Sequence, residues 1–147
     1  MEVKKQTKLT FLGVEITSVS FNIKKRRPRS LPINIECNSL ALVNSKETDK
    51  FNVVMDVTVS NEEVFYLTLT AIGEFKVSHL IDEKIREQLI NINAPAIMFP
   101  YVRSFIATLT ANIGKGLGGA LLIPTQVFKG KLNIKVEEET NTEINDD

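Results

Sequence analysis

The sequence predicts an α+β fold: a four-stranded antiparallel meander sheet covered on one face by a long helix and a short helix. Three observations carry this. Four stretches before residue 78 alternate apolar and polar residues with a period of two, the pattern of half-buried strands. The links between them are short, Asn61-Glu62-Glu63 having hairpin length. Beyond residue 80 the period becomes helical, and one helical stretch is apolar on more than one face.

The strands come first. Leu12, Val14 and Ile16 share one parity, whereas Val19, Phe21 and Ile23 share the other. One extra residue would produce such a change, so a β-bulge is predicted near Thr17-Ser18. Lys24 to Ser30 breaks the pattern with charge and Pro28. Leu31, Ile33, Ile35 and Cys37 then alternate with polar residues, and Pro32, which cannot donate to a ladder, marks a strand start or a sheet edge. After the polar turn Asn44 to Lys50, Phe51, Val53, Met55, Val57 and Val59 form the strongest strand. Phe65, Leu67, Leu69, Ala71, Gly73, Phe75 and Val77 return against it.

Helices supply the cover that the apolar sheet face needs. Ile81, Ile85, Leu89 and Ile92 stand at helical spacing, with Ser78 or Asp82 as N-cap. Pro95 and Pro100 restrict the chain before the main helix, Pro100 suiting a first helical turn. Val102, Phe105, Ile106, Leu109 and Ile113 form one apolar face of that helix; Ile97, Tyr101, Ser104 and Thr108 form a second, smoother one. Arg103 and Asn112 are its polar exceptions. Two such faces need two partners, the sheet and another subunit, and the candidate oligomer interface is Tyr101, Ser104, Phe105 and Thr108. Gly114, Gly116, Gly118 and Gly119 end the helix, and Leu132, Ile134 and Val136 alternate in a short extended stretch. The expected organisation is a flexible N-terminus over 1–8, a single domain over 9–136, and an acidic disordered tail over 137–147.

The 147 residues suit one domain, and 43% hydrophobic with 24% charged residues is ordinary for a soluble globular chain. Eighteen basic residues balance eighteen acidic ones, so net charge argues for neither nucleic acid nor membrane. The single Cys37 cannot form an internal disulfide, which makes the cytoplasm the expected compartment. No run approaches the roughly 18 apolar residues of a membrane span, and polar residues interrupt Leu9 to Val19, unlike a signal peptide.

Candidate chemistry is sparse. Gly114-Lys115-Gly116-Leu117-Gly118-Gly119 matches G-x-G-x-x-G, but it follows a helix where a dinucleotide site must follow a strand, so a helix-ending turn is the reading. His79 is the one histidine, with no Cys/His cluster around it in sequence, and it reads as a turn residue at a strand end. Glu62/Glu63 and Asp82/Glu83 fall in turns or at helix starts, where solvation and capping explain them. Lys24-Lys25-Arg26-Arg27-Pro28-Arg29 could bind phosphates, but no interleaved aromatic offers base stacking, so it reads as a solvated loop. Neither an enzyme, nor a metal site, nor a cofactor is expected.

Two segments carry a family resemblance. Ala96-Ile97-Met98-Phe99-Pro100-Tyr101-Val102-Arg103 resembles the "(I/L)-L-F-P-Y-A-R" helix start of the SecB family of export chaperones, and Leu122-Ile123-Pro124-Thr125-Gln126-Val127-Phe128 resembles that family's "LAPVNF" segment. With the strand order, the resemblance spans about residues 8 to 128. It implies an α+β subunit in a dimer of dimers, long helices sandwiched between neighbouring sheets, and apolar grooves that hold unfolded polypeptides without ATP. The peptide-binding residues it suggests are Phe21, Phe75, Phe99 and Phe128. The family docks on the SecA motor through acidic residues of the exposed sheet face, whereas the matching positions here are Thr68 and the basic stretch Lys24 to Arg29. A strand-like tail also stands where the family has its final helix.

The expected function is therefore that of an ATP-independent holdase, homo-oligomeric (dimer or tetramer), binding unfolded or precursor polypeptides. The alternative is a structural or adaptor protein with the same fold, binding one folded partner or an antitoxin-type client without SecA docking.

Overall fold

The computed structural model describes residues 8–25, 32–44, 46–47, 49–78, 81–113, 117–124 and 133–137. The predicted meander is present as β1 (Leu9–Ile23), β2 (Asn34–Asn44), β3 (Lys50–Asn61) and β4 (Phe65–Val77). A fifth strand, β5 (Asn133–Glu137), joins it, giving the order β1-β4-β3-β2-β5. β5 runs parallel to β2, from Leu40 opposite Asn133 to Asn44 opposite Glu137. The extended stretch expected around Ile134 and Val136 is thus a sheet strand, and Glu137, assigned to the acidic tail, closes it. Residues 138–147 lie outside the described residues.

β1 explains its own parity. Its register against β4 slips twice, between Phe11 and Gly13 and between Ile16 and Ser18. The second slip is the bulge expected at Thr17-Ser18. The first makes Leu12 the extra residue, 51% exposed, and corrects its assignment to the apolar face. Gly13 follows at φ +143°, a conformation that L side chains rarely adopt. Because each bulge shifts the parity by one, Leu9, Phe11, Val14, Ile16, Val19, Phe21 and Ile23 all stand opposite the inward-facing residues of β4.

The inward face is built from Val53, Met55, Val57 and Val59 of β3 and Phe65, Leu67, Leu69, Ala71, Phe75 and Val77 of β4, all buried. Above it the helical path is continuous where a break was expected. α1 (Glu83–Gln88) passes into a π turn over Leu89–Asn93 and then into α2 (Ala94–Ala111). The prolines do not separate the two helices, and the wider turn shows why. The Ala94 N–H reaches back five residues to the Leu89 carbonyl just before Pro95, whose ring would crowd an α-helical carbonyl four residues earlier. Pro100 lies inside α2 on its exposed side. Ile81 and Leu89 pack at the margin of the core, and Ile90 of the π turn is buried.

α2 buries Ala94, Pro95, Met98, Phe99, Val102, Ile106 and Thr110. It approaches the sheet closely at Gly73, where a Cβ would stand 2.9 Å from both Met98 Sδ and a Phe75 ring carbon. α2 ends at Ala111 with Asn112 as its C-cap, ahead of the glycines expected to end it; Gly118 (φ +74°) and Gly119 (φ +127°) follow in the segment beyond. Leu117, Leu121 and Ile123 then enter the core.

Candidate functional site

The exposed side of α2 is uncharged. Ala96, Ile97, Pro100, Tyr101, Ser104, Thr108 and Ala111 all face solvent, Ile97 by 38% and Tyr101 by 52%. Arg103 is the one charged residue among the 18 of the helix. It is half-buried, and its Nε donates to the Ile123 carbonyl at 2.7 Å. Exposed helix flanks ordinarily carry charge, and this departure is what marks the surface.

One flank of this surface meets β1. The Tyr101 ring packs on Phe11, Phe11 on Phe75, and Phe75 on Phe51, with centroids 5.1, 5.2 and 5.3 Å apart. At the other end of β1, Phe21 packs on Phe65 at 6.4 Å. Val19 and Ile23 share its side of the strand, yet stay 40% and 42% exposed, because β1 is the sheet edge. The candidate site is this pair of adjoining apolar surfaces, the outer face of α2 and the uncovered edge of β1.

Tyr101, Ser104 and Thr108, predicted as interface, lie together on the exposed face, and Phe105 is half-buried between that face and the core. Among the predicted peptide contacts, Phe21 is half-buried at the open edge, Phe75 and Phe99 are core residues 1% and 4% exposed, and Phe128 lies outside the described residues. Val19 and Ile23 were read as strand residues only; their exposure depends on β1 being the edge, which periodicity does not reveal. Leu122, 69% exposed, was also missed.

The outer sheet face differs in character. Thr68 is flanked by Ser20 and Thr58, and Thr70 Oγ1 donates to Asp56 Oδ1 at 2.7 Å. Lys24 and Lys25 are tied to the β3–β4 turn. Both backbone N–H groups reach the Val64 carbonyl, Lys24 Nζ reaches the Glu62 carbonyl, and Lys25 pairs with Glu63 at 3.5 Å. That pair is well exposed and contributes little to stability. Residues 26–30, His79 and Gly114 to Gly116 lie outside the described residues. Burial is the main cause that pushes the Cys37 thiol above its usual pKa; the nearby Ser39 hydroxyl opposes the rise and Asp56 adds to it. A thiol held protonated in this way is a poor nucleophile. Among the described residues no helix is long and apolar enough to cross a membrane.

Residues 5–115 match the profile of SecB, preprotein translocase subunit SecB. An uncharacterised protein of Methanocaldococcus jannaschii is 29% identical over 150 residues, covering 97% of this chain and 95% of its own length. The protein-export protein SecB of Anaplasma marginale is 28% identical over 115 residues, 72% of this chain and 66% of that protein. The fold also matches a SecB-like chaperone of Mycobacterium tuberculosis, solved in complex with a ChAD peptide from the HigA1 antitoxin. That match has a TM-score of 0.64 at 14% identity, over 80% of this chain and 87% of the other, and at such identity the likeness is one of fold. Most of the sequence fits one family profile and the architecture agrees with it: the chain is a divergent member of the SecB family of chaperones, proteins that bind rather than catalyse.

Proposed function

We propose that this protein is an ATP-independent chaperone that self-associates through α2 and holds an unstructured segment of a restricted set of clients, without docking on the SecA motor. The observation that carries the reading is the uncharged outer face of α2 beside the open edge of β1. Leaving large apolar side chains in water forgoes about 1.5–3 kcal/mol each, so two surfaces of this kind favour being covered. A second copy suits the smooth helix face of Tyr101, Ser104 and Thr108. An extended client segment suits the margin of Val19, Phe21 and Ile23, where an edge strand offers both apolar contacts and backbone hydrogen bonds. Phe21 borders this margin directly; Phe75 supports the helix face from below through Phe11.

A restricted client is favoured over general export for two reasons. The SecB-like chaperone that shares this fold was solved with an antitoxin peptide. The positions expected to engage the motor are Thr68 and a lysine-rich strand end, although Glu15, Asp56 and Glu74 lie elsewhere on the sheet.

The test is a pair of measurements on the purified protein. Light scattering should give a dimer or tetramer, and stoichiometric protein should slow aggregation of an unfolded polypeptide without ATP. A stable monomer that protects nothing would sink the reading. Salt-resistant binding to SecA would restore the export role.

A further inference from the structure

The two edges of the sheet are finished differently. On one side β1 is itself the edge; on the other, β5 lies against β2 and takes the edge position. The stretch of β2 that it covers has its own character. From Asn34 to Ser39 polar residues interrupt the strand and Glu36 supplies a charge, whereas Leu40-Ala41-Leu42-Val43 is an unbroken aliphatic run. The register of β5 spans Leu40 to Asn44, which is that run and the residue after it. The run is apolar on both faces of the sheet. Ala41 and Val43 are buried on the inner face. Leu40 and Leu42 are half-buried on the outer face, where Leu40 stands opposite Val54 and Val54 opposite Ile72, an aliphatic row across three strands. A short, uncharged segment of this kind, without proline or glycine, is what an uncovered strand edge uses to pair with another copy. β5 puts Asn133-Ile134-Lys135-Val136-Glu137 at the edge instead. Ile134 and Val136 hold register with the buried Ala41 and Val43, and Lys135 and Glu137 hold register with Leu42 and Asn44. The alternate positions thus bring two charges to an edge that had none over Leu40 to Asn44. The charged residues that follow in sequence are all acidic, Glu138, Glu139, Glu143, Asp146 and Asp147, so two such chain ends repel each other.

We propose that β5 is an edge guard. Residues 133–137 close the aliphatic edge of β2 at Leu40–Asn44 against pairing with the same edge of a second copy, and present in its place an edge whose charges oppose pairing. The client margin proposed above lies at the opposite edge of the sheet, so neither reading depends on the other.

The test uses the full chain. Ile134→Pro with Lys135→Pro removes two consecutive backbone N–H groups, so β5 cannot keep its ladder whichever of them faces β2. Amide hydrogen exchange should then quicken at the alternate residues of Leu40–Asn44 that had faced β5, with β3 and β4 still protected. Light scattering should show a mass that exceeds that of wild type and rises with concentration. Adding Leu42→Lys to this variant should return the mass to that of wild type while exchange stays fast, because a charge on the uncovered edge again opposes pairing. Lys135→Val with Glu137→Val should keep the slow exchange yet self-associate, since the guard is then in place without its charges. The proposal is overturned if the proline variant uncovers Leu40–Asn44 and keeps the wild-type mass, or if exchange there is unchanged. It is also overturned if Leu42→Lys leaves the larger species in place, which would trace that species to loss of fold rather than to the edge. Should the proline variant fail to fold, Lys135→Val with Glu137→Val decides by itself, a wild-type mass refuting the guard and self-association with slow exchange supporting it.

Discussion

Tyr101 of α2 and Phe11 of β1 stack with centroids 5.1 Å apart and rings inclined by 42°. Phe11 continues to Phe75, and Phe75 to Phe51 with rings nearly parallel at 12°. A row of four rings therefore joins the outer face of the helix to the middle of the sheet. Aromatic pairs of this kind contribute about 0.5–1.5 kcal/mol beyond area burial. Tyr101 is thus fixed from beneath while half of it stays in water.

That arrangement separates assembly from folding. Tyr101→Glu should keep the far-UV circular dichroism of the wild type while light scattering shows a smaller species, because an unpaired carboxylate is costly to bury at an interface. Tyr101→Phe should keep the wild-type mass. Equal masses for all three would remove α2 from the interface.

Gly73 should not tolerate a side chain. Gly73→Ala places a Cβ where Met98 Sδ and the Phe75 ring already stand at 2.9 Å. Overpacking of this sort costs about 1–3 kcal/mol, readable as a lowered urea midpoint with unchanged slope. Gly73→Ala with Met98→Ala should recover part of the loss to crowding, although Met98→Ala opens a cavity of its own.

Thr110→Val should cost about 1–3 kcal/mol, because it leaves the buried Leu121 N–H without its acceptor. Thr110→Ser retains the oxygen and should lose less. Chemical denaturation of both variants checks this, and equal loss would point to packing of the Thr110 methyl instead.

Cys37 should be slow to alkylate. Its thiol pKa is raised chiefly by burial, so the folded protein holds less thiolate than an unfolded chain at the same pH. Its contribution to stability is fully present below the unfolded thiol pKa and is lost as pH rises through the folded value. Iodoacetamide at pH 8 should therefore react faster in urea than in buffer, and Cys37→Ala should flatten the alkaline end of the stability profile.

The meander was legible because β2, β3 and β4 each bury one parity of side chain and expose the other. The bulge at Thr17 was visible as a parity change, but the one at Leu12 was not, since Leu12 shares the parity of Val14 and Ile16. Gly13 was the available signal. α1 and α2 were read apart at Pro95 because a missing N–H ends a regular α-helix; the π turn removes that conflict, and no pattern of side chains announces it. The alternation of Ile134 and Val136 was seen, but its partner β2 lies some ninety residues earlier, beyond local pattern. In the site, the spacing of Tyr101, Ser104 and Thr108 disclosed a helix face, whereas Leu121-Leu122-Ile123, although part of it carried the family resemblance, has no period to say which of the three stays exposed.

The two slips in β1 bear on solubility as well as register. A fully apolar, unbroken edge of this length would recruit copies of itself strand by strand. Here the ladder is cut into Leu9–Phe11, Gly13–Ile16 and Ser18–Ile23, and each cut twists the edge and leaves one residue out of step. An incoming strand can follow the edge for only a few residues before its hydrogen bonds fall out of phase. On the proposed reading, an edge interrupted in this way takes a short client segment without becoming the seed of the protein's own fibril.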